Sequence, residues 1–294
     1  KKNLNLNYLL TFDLSLISHL ESDIPIIVWT DILYSDYYSH YFNKQKISKS
    51  SLKDIKLIEY NAIKKCKIIL FSSRWSLNKA RRKYKKFKKK FKLLEFGPSF
   101  DQQITKNKIE KNIDKRVENK IKLITLSVDW KRKGLQKQIE LVNYIISKGF
   151  DGELTIVGQK NKNNIKNLNV KFLGFINKNS KSGERKISNL LLKSHFHLLF
   201  SKAEAYGLAL IEANSRGVPN ISFNVGGIPH IIKNGKNGKL FKENEKIQKI
   251  GNYIINLFQN KKLYKKISMS SYFQYKKKFD YEKIIFKLKN IIKE

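Results

Sequence analysis

Apolar runs of strand length alternate with amphipathic helical stretches along the whole chain, and this alternation restricts the fold more than any other feature. Residues 24–29 read as a strand. Residues 51–65 read as a helix, with Leu52, Ile55, Ile58, Glu59, Ala62 and Ile63 near a 3.6-residue period. A strand over 67–71, a helix over 76–90 and a strand over 92–96 follow. A polar stretch, 97–120, interrupts the pattern with Pro98 near its start. The alternation then resumes with strands at 121–128, 154–158, 170–175, 196–200 and 220–223. Helices are expected at 135–148, 184–194 and 208–216, and three helical segments close the chain from about residue 244. Repeated β-then-α units predict doubly wound parallel sheets. With the polar stretch as linker, the expectation is two α/β domains facing a cleft, where such folds bind ligands. The domains are expected at 1–110 and 111–278, with 279–294 as a closing helix. The first domain shows three clear strands, where a complete doubly wound domain has about five or six. The chain opens on Lys1 and its single methionine is Met269. Together these predict that the first domain is incomplete at its start.

Composition excludes several classes. At 294 residues with 41% hydrophobic side chains, two packed cores are within reach and wholesale disorder is not. The formal net charge of +37 invites a nucleic-acid reading, but 61 basic residues include only seven arginines. A chain selected to read nucleic acid favours the planar guanidinium, which pairs with phosphates and guanine edges. The charge still attracts anions such as nucleotides, phosphorylated substrates and acidic lipid surfaces. The single cysteine, Cys66, excludes an intrachain disulfide and fits a reducing, cytoplasmic compartment; its apolar neighbours read it as a buried structural thiol. No apolar run approaches the roughly 18 residues of a membrane span.

The chemistry concentrates in residues 200–229. Glu204 and Glu212 stand eight positions apart around Gly207, and Gly226-Gly227 before Pro229 form a second glycine turn. Gly207 permits a tight turn into a helix from Leu208, whose first free amides, preceded by Tyr206, favour an anion. Glu212 falls within that helix beside Leu208, Ile211 and Ala213, so its charge needs partners. A ribose diol offers two donors to one carboxylate; a structural ion pair is the competing reading. Glu204, in the loop, reads as an acid that reaches a sugar hydroxyl or as a solvated one. Gly226 and Gly227 allow close approach of phosphate or sugar oxygens, or simply a strained turn. His195 and His197 share one side of a strand with no third ligand evident, which reads as structural.

The order and spacing of these motifs resemble the retaining GT-B glycosyltransferases of family 4. Glu204…Glu212 matches that family's E-x7-E signature. Gly217-Val218-Pro219, Val225-Gly226-Gly227-Ile228-Pro229 and Asn234-Gly235-Lys236-Asn237-Gly238 follow in the family's order. Ser127–Gly134 resembles its first C-domain loop, in which a basic residue before glycine, here Lys133, grips the donor diphosphate. Val128 stands where many members carry an arginine, and Arg132 is the nearby cation. His230 replaces a common glutamate. Residues 25–38, with Trp29-Thr30-Asp31, resemble a cleft-facing segment of the N-terminal domain, and Phe279–Glu282 the segment that returns to it.

That resemblance implies transfer of a sugar from a nucleotide-sugar to a hydroxyl of a glycan or lipid-linked acceptor, with retention at the anomeric carbon. It implies no bound metal or other cofactor, the nucleotide-sugar being the donor substrate. Arg132, Lys133 and the turn Tyr206–Leu208 would stabilise the leaving diphosphate; Glu212 would hold the ribose, Glu204 the donor sugar, and Asp31 would contact donor or acceptor. The basic run 81–92 has Leu77, Ala80, Tyr84, Phe87 and Phe91 at helical spacings. It reads as a helix packed on the first sheet or, more sharply, as a peripheral membrane surface for anionic lipid. Two alternatives belong to other classes: a transferase-like binding or partner subunit without transfer, and a basic anion- or nucleic-acid-binding protein resting on charge alone.

Overall fold

The computed structural model describes residues 6–42, 47–116, 119–161, 165 and 167–293. The chain divides into two compact units. One takes the chain up to Phe96, the tripeptide Glu204–Tyr206 and the residues from Glu282 onward; the other takes Gly97–Ala203 and Gly207–Tyr281.

The first unit is built from β1 (Leu9–Thr11), β2 (Ile26–Thr30), α1 (Tyr34–Tyr41), α2 (Lys49–Lys65), β3 (Ile68–Phe71), α3 (Arg74–Lys83) and β4 (Phe91–Leu93). Among the described residues its sheet runs β1-β2-β3-β4, all parallel. Period-two alternation divides the strands between two cores. Ile26, Val28, Ile69 and Phe71 pack on one face with Ala62, Ile63, Leu77 and Phe91, while Ile27, Trp29, Ile68 and Leu70 pack on the other. A parallel sheet covered on both faces needs such unbroken apolar strands. Ser48 and Ser73 cap α2 and α3, their hydroxyls accepting from the amides of Ser51 and Ser76. Cys66 is buried, and desolvation pushes its thiol up to about 12, as befits a structural residue.

The helix expected over 76–90 is not continuous. It ends at Tyr84 and resumes as a 3-10 segment, Lys85–Lys90. Glu59 on α2 explains the break. Its fully buried carboxylate accepts from the Ser35 amide (2.9 Å) and hydroxyl (2.7 Å), from the Tyr84 hydroxyl, and pairs with Lys83 at 3.3 Å. Turning the chain at Tyr84 brings the last two groups to a charge that cannot be left alone. Phe87 and Phe91 still enter the core, whereas Arg82, Lys85, Lys86, Lys88 and Lys89 are exposed.

The second unit holds α4 (Lys106–Lys115), β5 (Lys120–Leu126), α5 (Leu135–Ser147), β6 (Asp151–Val157), β7 (Val170–Phe172), α6 (Lys181–Lys193), β8 (Phe196–Leu199), α7 (Leu208–Ser215), β9 (Asn220–Phe223), α8 (Ile228–Ile231), β10 (Gly238–Phe241), α9 (Ile247–Gln259) and α10 (Lys261–Lys278). Its described strands run β10-β9-β8-β5-β6-β7, all parallel. The order reverses between β5 and β8: the chain winds outward from β5 through β6 to β7, then returns to β8. Ligands of doubly wound sheets bind at that switch point, beyond the carboxyl ends of the strands. The interval read as a linker holds α4, capped by the Thr105 hydroxyl and anchored by fully buried Ile109 and Ile113. Behind it, buried Arg116 donates to the carbonyls of Leu192, Gly217 and Arg216, each at 2.7 Å. The last helix, α11 (Tyr281–Lys293), returns to the first unit, where Ile284 joins Ile27, Trp29 and Leu70. No helix among the described residues is long and apolar enough to cross a membrane.

Candidate functional site

The switch point of the second unit collects most of the residues singled out in the sequence. The loop after β5, Ser127–Gly134, carries Arg132 and Lys133. Gly134 starts α5 with φ +63°, and a Cβ there would lie 2.4 Å from the Phe200 carbonyl oxygen. Only glycine permits that close passage beside the loop after β8. Two hydrogen bonds then join the loops. The Arg132 carbonyl accepts from the Lys202 amide at 2.8 Å, and Arg132 Nη1 donates to the Ala203 carbonyl at 3.3 Å. Asp129 orients the guanidinium, accepting from Arg132 Nε at 3.1 Å and from its amide at 3.0 Å.

Gly207 opens α7 at φ +98°, so Leu208 is its first helical residue. Glu212 lies inside α7 with none of its surface exposed, and both of its carboxylate oxygens receive Lys178 Nζ, Oε1 at 2.6 Å. Lys178 was not legible as a partner in the sequence, since it comes from the loop after β7, 34 positions away. Lys178, Arg132 and Lys133 line one pocket of about 360 Å³ together with Ser127, Gly158 and Asn177. Gly226 and Gly227 follow β9, next to β8 in the sheet; Gly227 caps α8, and Phe223 stacks on Phe200 at 4.7 Å. His230, in α8, is buried and its Nε2 accepts from Lys278 Nζ at 2.9 Å.

His197 lies under this edge, on β8. Asn220 Nδ2 donates to Leu210 O and Asn214 Oδ1, so its Oδ1 accepts from His197 Nδ1 (2.7 Å). The ring is therefore the neutral Nδ1–H tautomer, and its buried Nε2 has no partner among the described residues. Burial lowers its pKa to about 4, and the charges of Lys133 and Lys178 act in the same direction. His195 precedes β8; its Nδ1 accepts from the Lys122 amide and its Nε2 bonds the Arg116 carbonyl. Both histidines have structural work. Among the described residues no group of three or more His, Cys, Asp or Glu could hold a metal ion.

Asp31, Glu204 and Tyr206 belong to the first unit. There the Glu204 amide donates to His40 Nε2 at 3.0 Å and the Ala205 amide to the Tyr41 hydroxyl at 2.7 Å. The Ser73 hydroxyl donates to the Ala205 carbonyl and the Tyr206 hydroxyl to the Phe96 carbonyl. His40 and Tyr41, on α1, were missed in the sequence because α1 itself gave no clean apolar period. Asp31 follows β2; burial, then the negative charge of Glu204, raises its pKa to about 6. A half-buried acid shifted that far is a candidate site residue.

Comparisons with known proteins give the family and the fold. Residues 106–272 match the family model described as "Glycosyl transferases group 1". A stretch of 54 residues is 46% identical to the N-acetyl-alpha-D-glucosaminyl L-malate synthase of Bacillus anthracis, spanning 18% of this chain and 14% of that relative's length. Among solved structures, Anabaena HepE in complex with UDP superposes with a TM-score of 0.67 at 16% identity, over 92% of this chain and 72% of that one. A glycosyltransferase from Rickettsia africae superposes with a TM-score of 0.61 at 16% identity, over 98% of both chains. At those identities the likeness shows the fold, an α/β GT-B architecture with parallel sheets.

Proposed function

Because the chain belongs to the group 1 glycosyl transferases, we propose that it transfers a sugar from a nucleotide-sugar to an acceptor hydroxyl, retaining the anomeric configuration as in family 4. The observation that carries this reading is the switch point of the second sheet, where the basic loop Arg132-Lys133 is hydrogen-bonded to the loop that leads into α7 and its buried Glu212. A diphosphate there meets Lys133, Arg132 and the first amides of α7. As the glycosidic bond breaks, negative charge grows on the leaving diphosphate while the sugar becomes oxocarbenium-like. Cations and amides fixed in advance then stabilise the transition state more than the ground state. Glu212 takes the ribose diol and Glu204 the donor sugar, with Asp31 in the first unit as a contact to donor or acceptor. Gly226 and Gly227 let the backbone approach the donor. The leaving phosphate assists deprotonation of the acceptor, so no protein nucleophile is required.

UDP-sugars are the first donors to test, since HepE is known in complex with UDP and with UDP-glucose. The acceptor is a glycan or a lipid-linked hydroxyl; the exposed lysines of 85–89 offer a cationic face to an anionic membrane that would carry the latter. The test is a donor screen reading released nucleoside diphosphate over a panel of UDP-, GDP- and ADP-sugars. Release from one donor, lost in Lys133→Ala, is expected; no release from any donor with any acceptor fraction would contradict the proposal.

A further inference from the structure

Glu212 is sealed by Lys178. The carboxylate has no exposed surface, whereas the Lys178 side chain is 31% exposed, and one ammonium holds both carboxylate oxygens. The ammonium thus occupies the fork of Glu212 that a diol needs, and any ligand entering the pocket lined by Lys178 meets it first. A buried carboxylate tolerates the departure of its cation only when donors replace it, which a vicinal diol supplies. Lys178 in turn keeps an anion within reach. It lines the same pocket as Lys133, and both ammoniums act on the buried His197 ring, so they share one neighbourhood. A lysine is a compact charge on a flexible four-carbon stem, suited to exchanging one anion for another.

We infer that Lys178 is a two-position cation of the donor site: it closes Glu212 in the empty protein, and on nucleotide binding yields the carboxylate to the ribose diol and moves to the diphosphate. The inference rests on the nucleotide reading of the site and adds a specificity device to it. A nucleoside alone must open the ion pair without returning an anion to Lys178, whereas a nucleoside diphosphate restores one. The site therefore selects ligands that carry diol and diphosphate together.

The experiment compares UDP with uridine, by calorimetric titration and by ligand-observed NMR, on the wild type, Lys178→Met and Lys178→Arg. Lys178→Met is expected to weaken UDP by about tenfold, the worth of one lost charge-assisted hydrogen bond. Uridine binding is expected to hold or tighten in the same variant, and Lys178→Arg to recover UDP affinity. Melting curves of all three proteins separate a binding defect from a folding one. Unchanged UDP affinity in Lys178→Met overturns the inference while leaving the nucleotide site standing. Equal weakening of UDP and uridine also overturns it, because Lys178 then serves only to hold Glu212. If only GDP or ADP binds, that nucleotide and its nucleoside take the place of UDP and uridine; a wild type that binds none of the three overturns the nucleotide reading and this inference with it.

Discussion

The carbonyl of Arg132 accepts a 2.8 Å hydrogen bond from the Lys202 amide, while Arg132 Nη1 donates to Ala203 O. One residue thereby fastens the basic loop after β5 to the loop that leads into α7, across the point where strand order reverses. Replacing Arg132 by Met keeps the backbone bond and removes the side-chain one, together with the charge. Transfer is expected to fall by about 100-fold, the lower end of what one lost donor to developing negative charge costs. Stability is expected to change by less than about 1 kcal/mol, since the ion pair with Asp129 is partly exposed. Steady-state rates and a denaturant titration check the two halves.

Gly134 holds those loops at contact distance. Ala at this position places Cβ 2.4 Å from Phe200 O at φ +63°, and a loss of about 2 kcal/mol or more is expected. Gly149 provides the control. It also has positive φ, but nothing lies within 4 Å of its Cβ position, so Gly149→Ala should cost about 1 kcal/mol. Equal effects in urea titrations would contradict the close-approach explanation.

His197 makes stability depend on pH. Its folded pKa is depressed from 6.5 to about 4, so below 6.5 the unfolded chain binds a proton that the folded ring refuses. Stability therefore falls as pH drops from 6.5 to about 4. On the order of 3 kcal/mol is expected from this group. His197→Asn should flatten that part of the profile, measured as urea midpoints between pH 7 and pH 4.

Asp31 acts with the opposite sign. Its pKa rises from 3.8 to about 6 in the folded chain, so folding is penalised as pH rises through that window, and the penalty is complete above it. Asp31→Asn is expected to be more stable than the wild type at pH 8 by roughly 1–2 kcal/mol, with the difference gone below pH 4. It is also expected to lower transfer, since its carboxylate is proposed to contact donor or acceptor. A variant no more stable than the wild type at pH 8 would contradict this.

Much of the fold is legible in the sequence. Strand-length apolar runs located most of the strands because a sheet covered on both faces needs them uninterrupted, and β9 falls on the expected 220–223. Gly207 announced a tight turn into a helix, and it adopts positive φ. The misses have physical causes. Helix α4 hid in a polar stretch because Ile109 and Ile113 are its buried residues, too few to give a period. The basic helix broke at Tyr84 because Glu59, distant in sequence, required Tyr84 and Lys83. For the site, the carboxylates and loops were readable because local spacing encodes them. Lys178, His40 and Tyr41 were not, because partners brought in by tertiary folding leave no spacing signal.

If the buried carboxylate of Glu212 belongs to a nucleoside diphosphate site, its removal weakens nucleotide binding. Calorimetric titration of UDP, GDP and ADP into the wild type and Glu212→Ala tests it most directly. One nucleoside diphosphate should bind the wild type with at least about tenfold higher affinity than Glu212→Ala, the worth of the lost diol contacts. A folded wild type that binds none of the three, or a Glu212→Ala variant that binds as tightly as the wild type, would contradict it.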